Sequence, residues 1–258
     1  MDLGLTGRHV FVAGSSRGIG RAIARAFLAE GGRVTIAARS AAGVAAARAE
    51  LSADADAERV HAVVADLTVP ADVDRAVTVA EQALGPLDVV VANVGSGAAR
   101  MGIELTAEDW AASLNTNLLG GMALATRVLP GMTARRSGNV IFVSSIAGME
   151  AIAAPVPYAA AKAALNMAAK SLARQVGEAS VRVNVIAPGN VLFPGGSWER
   201  RRAERGAEVD RYIEAEVALK RFASVEEIAD VVVFLASDRA SFVTGSLVVV
   251  DGGQTRTL

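Results

Sequence analysis

Two tyrosines and three lysines are all that this 258-residue chain holds of those types, and one of each stands four residues apart in Tyr158-Ala-Ala-Ala-Lys162. On a helix that spacing brings both side chains to one face. A free phenol has a pKa of about 10 and is a poor base near neutrality. A neighbouring ammonium favours the phenolate, at about 1.4 kcal/mol for each pKa unit. The pair therefore predicts a proton donor and acceptor for interconverting a carbonyl and an alcohol. The same spacing is common on solvated helix surfaces, and the scarcity of both residue types gives this instance its weight. Ser145 follows the run Val140-Ile141-Phe142-Val143 and precedes Tyr158 by 13 residues, room for a loop that returns to it. Its hydroxyl could hold a substrate oxygen beside the phenol. The blander role is that of a turn serine, with Ser144 as its neighbour.

A second constellation lies near the start. Ala13-Gly14-Ser15-Ser16-Arg17-Gly18-Ile19-Gly20 follows an apolar run and opens a helical stretch, the context of a dinucleotide-binding turn. Gly14 would let the chain turn off the strand, Gly18 would let the backbone approach a pyrophosphate, and Gly20 would allow close helix–strand packing. Orphan amides and the positive helix end would meet the anion. About 20 residues on, an NAD site usually carries an acid for the ribose hydroxyl. Here the stretch reads Thr35-Ile36-Ala37-Ala38-Arg39-Ser40. Arg39 and Arg17 could clamp a 2′-phosphate instead, which favours NADP(H) over NAD(H). The alternative for Arg39 is a solvated arginine.

The elements that must position these groups alternate. Candidate strands are His9–Ala13, Val34–Ala37, Val60–Val64, Val89–Ala92, Val140–Val143, Val181–Ile186 and Leu247–Val250. They are continuous apolar runs, as in a parallel sheet covered on both faces. Candidate helices are Gly18–Glu30, Ala41–Ala53, Ala71–Leu84, Ala107–Thr133, Tyr158–Val176 and Val225–Ala236. Thr106 and Ser224 are read as their caps where they precede acidic first turns, and Pro130 is expected to kink or end its helix near Leu129. The expected fold is α/β: one Rossmann-type domain over residues 1–258, with a doubly wound, seven-stranded parallel sheet. The irregular stretch Gly189–Arg211, with Arg200, Arg201, Arg202 and Arg205, is either a solvated surface helix or a mobile lid over a site, at about 190–215.

Composition closes off other classes. Hydrophobic residues make up 52% of the chain, the formal net charge is -1, and there is no cysteine. A large core can form, while general affinity for nucleic acid or anionic membrane is not expected. Thiol chemistry and Cys-ligated metal are excluded, and with only His9 and His61 no metal site is expected. No apolar run reaches the length of a membrane span and no leader stands out, so a cytoplasmic protein is expected.

Taken in order and at their spacings, these motifs resemble the classical short-chain dehydrogenase/reductase family. The likeness runs through Gly14-x-x-x-Gly18-Ile19-Gly20, Asp66-Leu67, Ala92-Asn93-Val94-Gly95, Asn117, Ser145, Tyr158-x-x-x-Lys162, Asn184-Val-Ile-Ala-Pro188-Gly189 and Asp251-Gly252-Gly253. The terminal third resembles 3-oxoacyl-carrier-protein reductases. The resemblance implies that Tyr158 is the general acid/base and that Lys162 lowers its pKa and binds the nicotinamide ribose. Ser145 would orient the carbonyl, and Asn117 would hold a relay water. It further implies cofactor contacts from Gly14, Ser16, Arg17, Gly18, Ile19, Gly20, Arg39, Asp66, Leu67, Asn93, Val94 and Gly95, with Pro188, Gly189 and Val191 beside the nicotinamide. Four positions in three motifs depart from the family pattern: Ala13 replaces a threonine, Ala92 an asparagine with Val94 for alanine, and Phe193 stands where threonine is usual. Met149, Ile152, Val156, Phe193 and Trp198 are candidates for a substrate wall suited to an apolar carbonyl, and the arginines near Arg200 for an acidic substrate or carrier. A homotetramer through Ala107–Thr133, Tyr158–Val176 and the last strand is implied. A non-redox lyase or isomerase on the same scaffold, and a non-catalytic dinucleotide sensor, are the alternative functions.

Overall fold

The computed structural model describes residues 2–257. Its elements run β1 (His9–Ala13), α1 (Gly18–Ala29), β2 (Arg33–Ala38), α2 (Ala41–Asp54), β3 (Val60–Val64), α3 (Pro70–Leu84), β4 (Val89–Ala92), α4 (Ala107–Leu114), α5 (Gly120–Arg135), β5 (Gly138–Val143), α6 (Val156–Val176), β6 (Val181–Pro188), α7 (Ser197–Glu216), α8 (Val225–Ala236) and β7 (Leu247–Val250). The strands form one sheet in the order β3-β2-β1-β4-β5-β6-β7, and every pairing is parallel. The order reverses between β1 and β4, and a crevice opens at the strands' carboxyl ends where that happens.

Strand residues alternate between two cores, as a pleat requires. Phe11 packs with Leu124, Phe142 and Leu165 on one face; Val10 and Val12 pack with Ile23, Phe27 and Val232 on the other. Burial on both faces is why the strands read as unbroken apolar runs. Both expected caps are complete capping boxes, Thr106 with Asp109 and Ser224 with Glu227.

Pro130 corrects the expectation made for it. α5 runs past it to Arg135. Leu129 and Met132 are buried on either side and anchor the helix as it continues, while the ring sits on the exposed face, where a carbonyl deprived of its donor meets water. The break in this helical pair lies earlier, in a π turn over Asn115–Leu119. Such bulges recur at functional sites, and this one carries Asn117.

His9 is fully buried, with Nδ1 2.7 Å from the Gly85 carbonyl and Nε2 2.9 Å from the Thr35 hydroxyl. A carbonyl only accepts, so Nδ1 carries the proton and Nε2 accepts from Thr35. Burial, the largest influence, pushes the imidazole pKa below its ordinary value. The unfolded chain therefore takes up the proton first as pH falls. The neutral histidine's contribution is complete above the unfolded value of about 6.5 and is lost below it. Thermal unfolding followed from about pH 7 down to 5 should show a steeper loss in wild type than in His9→Gln; equal slopes would remove His9 from the account.

Candidate active site

The carboxyl ends of β1, β2, β3, β4 and β5 open into one groove of about 660 Å³. Arg39, Ser40, Asp66 and Thr68 line it at the β2–β3 end; Gly95, Ser96, Thr116, Tyr158 and Lys162 line it toward β4 and β5. Gly14, Ser16, Arg17, Ile19, Leu67, Asn93 and Val94 lie along its course.

The floor is the glycine turn. Gly14 adopts φ +63, and a Cβ there would overlap the Asn93 carbonyl; a Cβ on Gly20 would overlap the Gly14 carbonyl. Asn93 clamps the turn by donating from Nδ2 to the Gly14 carbonyl at 3.2 Å. Ser15, a residue without a role in the sequence reading, welds it to the sheet: its hydroxyl donates to the Val12 carbonyl at 2.7 Å and accepts from the Ala37 amide at 2.9 Å. Gly18 also has positive φ, and its missing Cβ leaves room for the Phe193 ring, whose nearest atom would lie 2.7 Å away. The Arg17 guanidinium donates to the Gly195 carbonyl at 3.1 Å, so the segment after β6 rests on the turn. The Asp66 carboxylate accepts from both the amide and the hydroxyl of Thr68, which hold its pKa below the usual range, with Arg39 adding a smaller effect.

At the other end, the Ser145 side chain faces the Tyr158 phenol closely enough to favour its phenolate, and its hydroxyl accepts from the Ala147 amide at 3.2 Å. Lys162 is buried, and its Nζ donates to the Val143 carbonyl at 2.9 Å. Asn117 is also buried; its Oδ1 accepts from the Ser96 amide at 2.8 Å and its Nδ2 donates to the Ser113 carbonyl at 3.1 Å. A Cβ on Gly95 would stand 3.0 Å from both Asn117 Oδ1 and Lys162 Nζ, so these two polar groups face the same glycine. Of the expected constellation, Tyr158 and Lys162 line this end of the groove, while Ser145 and Asn117 lie beside them, outside its lining.

The electrostatics differ from the expectation. Burial raises the Tyr158 pKa above its ordinary value, and the nearby Ser145 hydroxyl opposes this only in part. The ammonium stands 6.0 Å from the phenol ring centre and is turned to Val143. Burial in turn lowers the Lys162 pKa to about 8. Desolvation outweighs the pairing that helical spacing foretold.

Other expected contacts fall outside the groove lining. The Gly189 amide donates to the Val250 carbonyl, Pro188 pairs with Val250, and Val191 bridges to Ala223. Of that segment, Phe193 reaches the groove. Trp198 turns inward: it stacks on Tyr212 at 5.3 Å and against Phe222 at 4.7 Å, within a small core that includes Val209 and Ile213. The arginine cluster is largely engaged too, with Arg202 bridging Asp210, Arg205 bridging Glu208 and Arg201 over the Trp198 ring. Thr68, Ser96 and Thr116 line the groove without any signal in the sequence beyond their neighbours.

A dinucleotide fits this groove on two observations. The cradle excludes any Cβ at Gly14 and Gly20, and the groove is long enough to join the Arg39 end to the Tyr158 end. The sequence profile described as "Enoyl-(Acyl carrier protein) reductase" matches residues 13–255. This chain is a short-chain dehydrogenase/reductase. It is 34% identical over 246 residues to the 3-oxoacyl-acyl-carrier-protein reductase MabA of Mycobacterium tuberculosis, spanning 95% of this chain and 92% of that one. It is 35% identical to L-xylulose reductase of Bos taurus, spanning 98% of each. The crystal structure of L-sorbose reductase from Gluconobacter frateurii complexed with NADPH and L-sorbose superposes with a TM-score of 0.93, at 34% identity, over 100% of both chains. Relatives of the family with these names are reductases, and this short-chain dehydrogenase/reductase is an oxidoreductase by family.

Proposed function

We propose that the chain interconverts a ketone and a secondary alcohol, using NADP(H) in preference to NAD(H), with Tyr158 as general acid/base. One observation carries this reading: the Tyr158 phenol and the buried ammonium of Lys162 line one end of a groove, with Ser145 beside the phenol, and Arg39 lines the other end. A nicotinamide cofactor held along the groove would supply the hydride chemistry. The chain's own part is protonic and positional. Ser145 donates a hydrogen bond to the substrate oxygen, and Tyr158, held protonated by burial, gives that oxygen its proton. Lys162 stands next in line to restore it. Asn117 fixes the Ser96 loop over this corner and, as in the family, supports a relay water.

At the far end Arg39 and Ser40 suit a 2′-phosphate. Arg17 is taken up by Gly195, so the preference falls on Arg39 alone. Relatives that act on carrier-bound 3-oxoacyl groups and on sugar ketones leave the substrate as a small or carrier-bound carbonyl compound. The segment 190–215 serves as its lid. Met167, Phe242 and Val249 are exposed on or near α6 and β7, as a homotetramer would use them. No described helix is long and apolar enough to cross a membrane, and a cytoplasmic enzyme belongs to this reading.

The test offers purified protein NADPH, and in parallel NADH, with a panel of ketones, reading the absorbance near 340 nm. Loss with NADPH on some ketones is expected, and a flat trace on all of them would sink the proposal. Arg39→Asp should weaken NADPH by about tenfold to a hundredfold while leaving NADH within about threefold, in keeping with about 1.5–3 kcal/mol for a charge-assisted contact.

A further inference from the structure

The second tyrosine lies outside the constellation above, yet it is the most connected side chain of the lid. Tyr212 is on the second half of α7, whose helical geometry breaks at Arg205 with φ -143 and ψ 48. Its ring stacks on Trp198, which belongs to the first half, and meets Phe222 edge-on at 6.3 Å. Its hydroxyl accepts from the Asn190 Nδ2 at 3.1 Å and from the Gln254 Nε2 at 2.7 Å. Gln254 is 6% exposed, in the terminal tail, and the next turns of that tail are fastened to the same region. Arg256 donates from its amide to Glu150, in the loop between Ser145 and Tyr158, and pairs its guanidinium with Glu216 at 2.9 Å. Asn190 stands three residues before Phe193, the side chain that lies over Gly18 in the groove.

Tyr212 thus joins both halves of α7 through its ring, and the exit of β6 and the tail through its hydroxyl. We infer that Tyr212 is a positioning residue: through Asn190 its hydroxyl seats the Asn190–Phe193 segment, and so the Phe193 ring, on the glycine turn. Ring packing and hydroxyl function separate cleanly here. Phenylalanine keeps the stack on Trp198 and Phe222 and loses both amide bonds. The Asn190 donor is half-buried and can find water; the buried Gln254 donor loses its partner at a modest cost in stability, so the expected loss is chiefly of register. The same logic makes Asn190→Ala and Tyr212→Phe members of one tie, whose effects should not add.

The inference rests on the reductase reading only for its kinetic arm, and two other readouts stand apart from it. Trypsin has sites at Arg200, Arg201, Arg202, Arg205 and Arg211 within α7. Native-state cleavage there should be about fivefold faster in Tyr212→Phe and in Asn190→Ala than in wild type. The double variant should be no faster than either, with unfolding midpoints within about 2 °C of one another. NADPH affinity, read by its fluorescence, should weaken about threefold in both variants. With a ketone found by the panel, KM should rise about fivefold with kcat within about twofold, whereas Tyr158→Phe should lower kcat by orders of magnitude. Unchanged cleavage and unchanged NADPH affinity in Tyr212→Phe would overturn the inference, as would a fall in its unfolding midpoint large enough to account for both. A panel without turnover would strike at the reductase reading and leave the cleavage and fluorescence arms to decide this one.

Discussion

Tyr158→Phe should lower kcat/KM for ketone reduction by about a thousandfold, or about 4 kcal/mol of transition-state stabilisation, within the range typical of a lost general acid. The ring stays, so the change removes one O–H from the end of the groove and little else. NADPH affinity, read by fluorescence, should stay within about twofold of wild type, since the glycine turn and Arg39 are untouched. Ser145→Ala should cost less, because it removes an orienting hydroxyl and leaves the proton source. The direction of the Tyr158 shift adds a second signature. Burial holds the phenol protonated beyond its ordinary value, so reduction should be flat through neutral pH. Alcohol oxidation, which needs the phenolate, should climb as pH rises. Near-normal turnover of the phenylalanine variant would remove Tyr158 from the chemistry, and a fall in oxidation above neutrality would contradict its elevated pKa.

What could be read from the residues divides along a physical line. The inner strands were legible because each is buried on both faces; the edge strands Val60–Val64 and Leu247–Val250 keep largely apolar runs although Val64 and Val249 are exposed. The phosphate turn was legible because Gly14 and Gly20 have no alternative at those backbone approaches. Features set by three-dimensional context were not. Pro130 is tolerated since neighbours buried in the core outweigh a lost hydrogen bond. The π turn that presents Asn117 leaves no mark in periodicity. Trp198 was a plausible substrate contact until its partners Tyr212 and Phe222, from 14 and 24 residues on, turned it inward. The same holds for Tyr158 and Lys162. Their shared helix face was predictable, but the balance between pairing and desolvation depends on how deeply that face is buried and on where the ammonium points.

That balance gives the other large expectation: Lys162→Met should abolish turnover and yet raise thermal stability at neutral pH. Lys162 is fully buried, with the Val143 carbonyl as its hydrogen-bond acceptor and no carboxylate paired to it among the described residues. Its pKa falls to about 8 in the fold against about 10.4 in the unfolded chain. The folded state therefore resists the proton that the unfolded state holds. The resulting cost, of order 3 kcal/mol, is complete below about pH 8 and fades as pH climbs toward 10. Methionine has similar length and no charge to desolvate. Against the relief stands the Val143 carbonyl left without a donor, a loss of about 1–3 kcal/mol. The net effect at pH 7 should be a rise of a few degrees in the unfolding midpoint for a chain of this size, shrinking and then reversing between about pH 8 and 10. A variant that is less stable than wild type at pH 7, with a difference that does not move with pH, would show the ammonium to be well compensated. The expected opposite result would mean that the enzyme keeps an unfavourable buried charge where its chemistry needs one, a trade of stability for activity of the kind active sites make.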